Sequence, residues 1–343
     1  RRGTALIAKS PIKIFEFKNQ LLFIDIENLK IDCNNVATHG IYSDDSQGVG
    51  YRALRLRNLT IRYAIDSCIE FRGNNVDGLH VENCDISTGI GGIGIKLYRS
   101  GPFNRIFGSN IIVNEGGVGI KAMASCFQVS ETIFQGGAGN SRNAYIDAKS
   151  DAISGAVGRR IVIERCHFEG GMFTDTPIRI ADASVGYKYE NVIIRDNWIG
   201  CVKDYAIEID YIAVGDLLSS SVACCLIEGN HFVCTPSLAY IKLGTHIYGC
   251  TIRNNTYMDP TIPIYTGNPV RAVVQEAINS GTAIIPAGQT SITVNHNLPM
   301  KPSRILVTPK GCVGAVWVSN ITPKQFTINC DCLLYTSPSP RDR

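Results

Sequence analysis

Two carboxylates stand two residues apart in Ile207-Glu208-Ile209-Asp210, where apolar and acidic residues alternate. On a β-strand that alternation puts both carboxylates on one face, roughly 6–7 Å apart. This is near the separation that an inverting glycosidase needs between its acid and its base. Asp147 and Asp182 lie in similar alternating segments and could support such a pair, while Arg179 and Lys242 could hold an acidic sugar or stabilise a lyase's developing enolate. A plainer reading competes with this. Glu70, Lys96, Lys121, Asp147, Arg179, Glu208 and Lys242 recur at equivalent positions, with Lys149 and Asp210 at a second outward position. From Asp147 onward the signs mostly alternate, as they do in a ladder of cross-strand ion pairs. Glu164, Arg195, Glu228 and Arg253 form a second alternating series and read as a solvated ladder.

A third set is aromatic. His167, Trp198 and His231 follow Ile111 and Ile133 at one repeated position, and Ile106, Gln128, Val162, Ile193 and Leu226 recur at another nearby. Apolar stripes on an outer surface require a covering loop, a sister chain or a ligand. The three rings could stack on sugar faces. They are not expected to hold a metal, because two repeats separate His167 from His231 by about 9.6 Å.

These positions are equivalent because a repeat runs along the chain. With Φ apolar, the unit Φ-x-Φ-x-x-[N/C/T/L]-x-Φ reads IDIENLKI ending at Ile31, LRLRNLTI at Ile61 and LHVENCDI at Ile86. It continues as RIFGSNII to Ile112, FQVSETIF to Phe134, IVIERCHF to Phe168 and VIIRDNWI to Ile199, then CLIEGNHF to Phe232 and CTIRNNTY to Tyr257. The repeat averages about 28 residues, and a second short alternating segment follows most copies, as in CIEF, GIKL, YIDA and YIKL. Period-two alternation signals strands, and a repeat of strands without helices suits a stack of parallel β-coils. Stacking makes columns. The third position, read inward, is Ile26, Leu56, Val81, Phe107, Val129, Ile163, Ile194, Ile227 and Ile252. The sixth is Leu29, Leu59, Cys84, Asn110, Thr132, Cys166, Asn197, Asn230 and Asn255, whose amides can bond up the stack. The residue before it is often Asn, Asp or Gly, types that tolerate a left-handed bend. Cysteines in these columns, with Cys225 and Cys250 at the first position, read as small core residues.

From about Leu21 to about Thr266 the chain resembles the right-handed parallel β-helices of the pectin lyase-like superfamily, a fold shared by phage tailspikes, polysaccharide lyases, polygalacturonases and surface adhesins. That resemblance implies an all-β, single-stranded parallel β-helix of about nine coils. It carries no activity of its own. The polygalacturonase strings NTD, GHG and RIK and the pectate lyase string R-x-P-x-x-R are absent, and the one DD, Asp44-Asp45, stands without them; RIFG at Arg105 is no match. The segment from Gly281 to Cys330 resembles the small β-modules at the ends of phage tail-fibre and other β-helix proteins. The expected organisation is a β-helix over 1–270, a linker over 271–281 with a short helix at Arg271–Asn279, a β-sandwich-like module over 282–332 and an extraneous tail over 333–343. That tail, LLYTSPSPRDR, resembles translated adaptor sequence, and the start at Arg1 reads as a truncated N-terminus.

Composition narrows the function. A net charge of +3 with 18% charged residues is too balanced for a partner recognised by bulk positive charge, so nucleic acid is not expected. No apolar run approaches the roughly 18 residues of a membrane-spanning helix, so membrane insertion is not expected either. Thirteen cysteines without zinc spacing suggest neither a structural metal nor a disulfide scaffold. No cofactor is expected, apart from calcium were the protein a lyase. Insertions at Lys149–Arg160, Ala181–Asn191 and Tyr211–Cys224 could wall a groove beside the charged column. The leading expectation is a polysaccharide-engaging protein of tailspike or adhesin type, homotrimeric, and extracellular or virion-associated. A polysaccharide hydrolase or lyase and a purely structural fibre segment are the alternatives.

Overall fold

The structure, a computed structural model, describes residues 5–18, 23–45, 53–73, 78–98, 104–123, 126–137, 144–150, 158–170, 176–182, 189–200, 202–211, 222–244, 247–267, 269, 272–275, 281–296, 301–302, 304–310 and 314–331. Among them there is no helix. Thirty of the described strands form three parallel sheets of ten strands each. Sheet I holds the Φ-x-Φ strands, from Phe23–Glu27 to Ala272–Gln275. Sheet II holds the short strands after the bend, from Ala5–Ile7 to Thr256–Tyr257, and sheet III the charged strands, from Lys13–Lys18 to Tyr265–Gly267. Every strand pairs with its counterpart one coil away, so Ile163 meets Ile194 and Ile194 meets Ile227. The described strands from Lys13 to Tyr257, taken in threes, make nine coils of a parallel β-solenoid.

The bend between sheets I and II explains the repeat. The fifth position takes positive φ in all nine copies: Asn28, Asn58, Asn83, Gly108, Glu131, Arg165, Asp196, Gly229 and Asn254. A left-handed residue there turns the chain sharply enough for the third and eighth positions to share one core. The sixth position then points inward and satisfies the bend. Asn197 Oδ1 accepts from Cys166 N at 2.9 Å, and Asn230 Oδ1 from Asn197 N at 3.1 Å and Asn197 Nδ2 at 2.9 Å. Asn255 repeats this on Asn230, with both bonds at 2.9 Å. Beside the ladder, Phe134 and Phe168 stack with centroids 4.8 Å apart. The described cysteines are buried, and burial pushes the thiols of Cys33, Cys68 and Cys166 up to about 12.

One coil sits in a different register from the expected one. Ile106 pairs with Val81 and Val129 and is 1% exposed, whereas Phe107 points outward and is 41% exposed. Ser109, not Asn110, takes the sixth position and accepts from Cys84 N at 3.2 Å. Ile111 is therefore core, and Asn110 stands in the outward column. A one-residue slip exchanges every inward and outward side chain, so Ile106 and Ile111 leave the two apolar stripes and Phe107 leaves the core. The left-handed bend decides the register, because it falls on Gly108.

Within the expected 1–270, coils are already present before Leu21, since Ala5–Ile7 pairs with Lys30–Asp32 and Lys13–Lys18 with His39–Asp45. The expected linker helix is instead, over Ala272–Gln275, the tenth strand of sheet I, placing Ala272 beside Cys250 and Val274 beside Ile252. The chain divides into compact units at Gln275 and Glu276. In the second unit the described residues form one antiparallel sheet of three strands, with Gln325–Cys330 between Ser291–Asn295 and Val316–Ser319. The tail over 333–343 lies outside the described residues.

Candidate functional site

The aromatic column lies on sheet II, at the first outward position past the bend. Its members pair in the order Asn110, Ile133, His167, Trp198, His231 and Thr256. None of these six is an acid or a permanent cation, although the column continues from Asn110 through Asp85 and Thr60 to Lys30. Ile133 is 39% exposed, His167 and Trp198 are half-buried, and His231 is exposed. The indole extends along its strand over Gly200, where an added Cβ would meet Cη2 and Cζ3 at 2.7 Å. Glycine two residues on thus lets the ring lie along the surface instead of standing off it. His167 meets Trp198 edge-on, with centroids 4.1 Å apart and planes at 76°, so the rings form an angled corner instead of a parallel stack. His231 Nδ1 is tied to Thr256 Oγ1 at 2.8 Å. Val162, at the second position of sheet I, is 2% exposed, while Ile193 and Leu226 are half-buried, so that stripe is largely covered.

On sheet III the expected column exists as read, from Glu70 through Lys96, Lys121, Asp147, Arg179 and Glu208 to Lys242. Most of its members pair off, Lys121 being in no ion pair among the described residues. Arg179 Nε donates to Asp147 at 3.2 Å, and Lys242 Nζ to Glu208 at 2.7 Å. Asp210 and Asp182 occupy strand positions beside Ala181 and Tyr211, but their side chains lie outside the described residues. Most of the three insertions, and so the walls of any groove, also lie outside them. The fourth position of sheet I pairs likewise: Arg195 reaches Glu164 at 2.6 Å and Arg253 reaches Glu228 at 3.0 Å.

A cluster near the N-terminal end was not legible as a site. Glu70, read as solvent-facing, is 0% exposed. His39 Nε2 lies 2.8 Å from Glu70 and 3.3 Å from Asp66. Lys96 Nζ lies 3.2 Å from Glu70 and 3.4 Å from Asp66, and Arg72 Nε also donates to Glu70. The His39 hydrogen bond leads in holding Asp66 down to about 2. Burial would raise Glu70, but bonds from His39 and Arg72 and the Lys96 charge outweigh it and hold it at about 2. Burial would likewise lower His39, yet its bonds to Asp66 and Glu70 raise it. The ligand atoms of His39, Asp66 and Glu70 fall within 4.8 Å of one another, as a metal would require. The Lys96 ammonium already neutralises them, and the cluster reads as an ionic staple across consecutive coils. Only Glu70 and Lys96 shared a column in the sequence; His39 and Asp66 converge through the turn that enters sheet III.

Compared with protein-family models, curated proteins and solved structures, the chain matches none.

Proposed function

We propose that this β-helix engages a polysaccharide on its outer face, with the aromatic column of sheet II as the contact. The observation that carries the reading is Trp198 lying over Gly200 with His167 at its edge, in a stretch of the column from Asn110 to Thr256 without fixed charge. A pyranose presents an apolar C–H face with hydroxyls at its rim. An indole extended along a surface suits the face, and ring nitrogens beside it suit the rim. The rigid solenoid places neighbouring contacts at about 4.8 Å. Such a protein would act as β-helical tailspikes and surface adhesins of the pectin lyase-like type do, as an extracellular or virion-associated homotrimer. Catalysis by Glu208 with Asp210, Asp147 or Asp182 is the weaker reading, because Glu208 and Asp147 are each engaged by a cation. A fibre segment without binding activity is the remaining alternative.

The test is Trp198→Ala, followed by glycan affinity, light scattering and thermal melting. Sugar contact requires weakened glycan binding with mass and melting temperature retained. Dissociation with intact binding would assign the column to a subunit interface, and lost stability alone would assign it to a covering segment.

A further inference from the structure

We infer that the outer face of sheet I around Arg55, His80, Arg105 and Phe107 is a separate site for a carboxylate-bearing glycan. Arg55, His80 and Arg105 are directly paired across three successive coils. Like charges in register on a sheet repel; on the same sheet the fourth-position column forms ion pairs, Arg57 with Glu27 at 3.2 Å and Arg195 with Glu164, whereas here Asp25 stands in register beside Arg55 but no ion pair forms among the described residues. Arg55 and Arg105 are exposed, and neither makes an ion pair among the described residues. Burial, reinforced by these two guanidinium groups, lowers the pKa of His80, leaving a neutral ring that can donate one hydrogen bond. The face therefore holds two guanidinium groups that make no ion pair among the described residues, with a neutral donor between them and Asp25 in register on the far side of Arg55.

Shape points to a sugar. Beside Arg105 and Gln128 lies an open depression of about 340 Å³, lined also by His80, Glu82, Phe107 and Arg165. Phe107 gives it an apolar floor at a position where neighbouring coils carry Glu82 and Ser130. Arg165 is already paired with Glu131 at 3.2 Å and Gln128 with Glu164 at 2.9 Å, so Arg105 and Arg55 remain for the ligand's anion. The planar fork of Arg binds a carboxylate through two parallel bonds. A ring stacked on Phe107 would bring its carboxylate to Arg105, two residues away on the same strand, while Glu82 accepts from hydroxyls. Trp198 lies three coils away, about 14 Å along the axis, so the two sites stand or fall separately.

Binding is measured by calorimetry with hexasaccharides of alginate, hyaluronan and polygalacturonate, beside neutral maltohexaose and a single-stranded thymidine oligonucleotide of matched charge. At least one acidic hexasaccharide should bind, with Arg105→Ala, Arg55→Ala and Phe107→Ala each weakening it by about tenfold and Phe107→Tyr restoring it. Melting temperatures should not move, because these side chains project outward. The proposal is overturned if no acidic hexasaccharide binds, if the arginine variants bind as wild type does, or if the oligonucleotide binds as tightly, which would mark a general polyanion patch. Loss of binding in Trp198→Ala alone would instead place the acidic glycan on the aromatic column.

Discussion

Replacing Asn230 by Ala tests how the coils are held together. Its Oδ1 accepts from Asn197 N and Nδ2, and its Nδ2 donates to Ile194 O at 3.0 Å and Asn255 Oδ1 at 2.9 Å. The residue is 0% exposed, so water does not replace these partners freely. All four bonds vanish: three cost about 1 kcal/mol each, and loss of the fourth leaves the Asn197 N–H buried without an acceptor at about 1–3 kcal/mol. The expected destabilisation is about 4–6 kcal/mol, large against the stability of an ordinary domain. Urea unfolding followed by far-ultraviolet circular dichroism measures it, and hydrogen exchange should localise the loss to the coils holding Asn197, Asn230 and Asn255, because a solenoid contacts only its nearest neighbours. A loss below about 1 kcal/mol would refute the reasoning, showing that the ladder is incidental to the bend.

The His39 cluster makes stability depend on pH. His39 is raised above its ordinary value, so its contribution is full below about pH 6.5 and is lost as pH rises through the folded value; Asp66 and Glu70 are lowered, so theirs is present above about pH 4 and is lost on falling towards about 2. Urea midpoints should peak between those limits, and His39→Gln should abolish the alkaline loss. Cys33, Cys68, Cys84 and Cys166 should resist thiol reagents at pH 8 in the native protein and react on unfolding, because burial raises all four to about 11–12, which mass spectrometry of labelled peptides can read. Gly200→Ala should push the indole of Trp198 off its strand, shifting its fluorescence and weakening glycan binding while leaving the coils intact. An unchanged emission spectrum would contradict that placement.

How much of this was legible in the sequence follows from where the information resides. Columns with one strong chemical demand could be read directly: apolar at Ile163, Ile194 and Ile227, amide at Asn197, Asn230 and Asn255. The coil from Asn104 to Val113 could not, because Ile106 and Phe107, like Ile111 and Ile112, offer two apolar registers one residue apart. Gly108 held the answer, since every other copy bends left-handed at the fifth position. Pairing among the charges was legible as sign alternation. The burial of Glu70 was not, because His39 and Asp66 reach it from outside the repeat. The same slip concealed the exposed face of Phe107, and with it the depression on sheet I.

The central claim is that Trp198 touches sugar, and its own fluorescence reports this most directly. The sequence holds two tryptophans, and Trp317 is 49% exposed in the C-terminal sheet, so Trp317→Phe leaves Trp198 as the sole emitter. That variant is titrated with a panel of bacterial surface polysaccharide fragments. A saturable change in the Trp198 emission with at least one fragment, lost when His167 and His231 are replaced by Ala, is the expected result. A fragment that binds by calorimetry while the emission of Trp198 stays constant would contradict the claim.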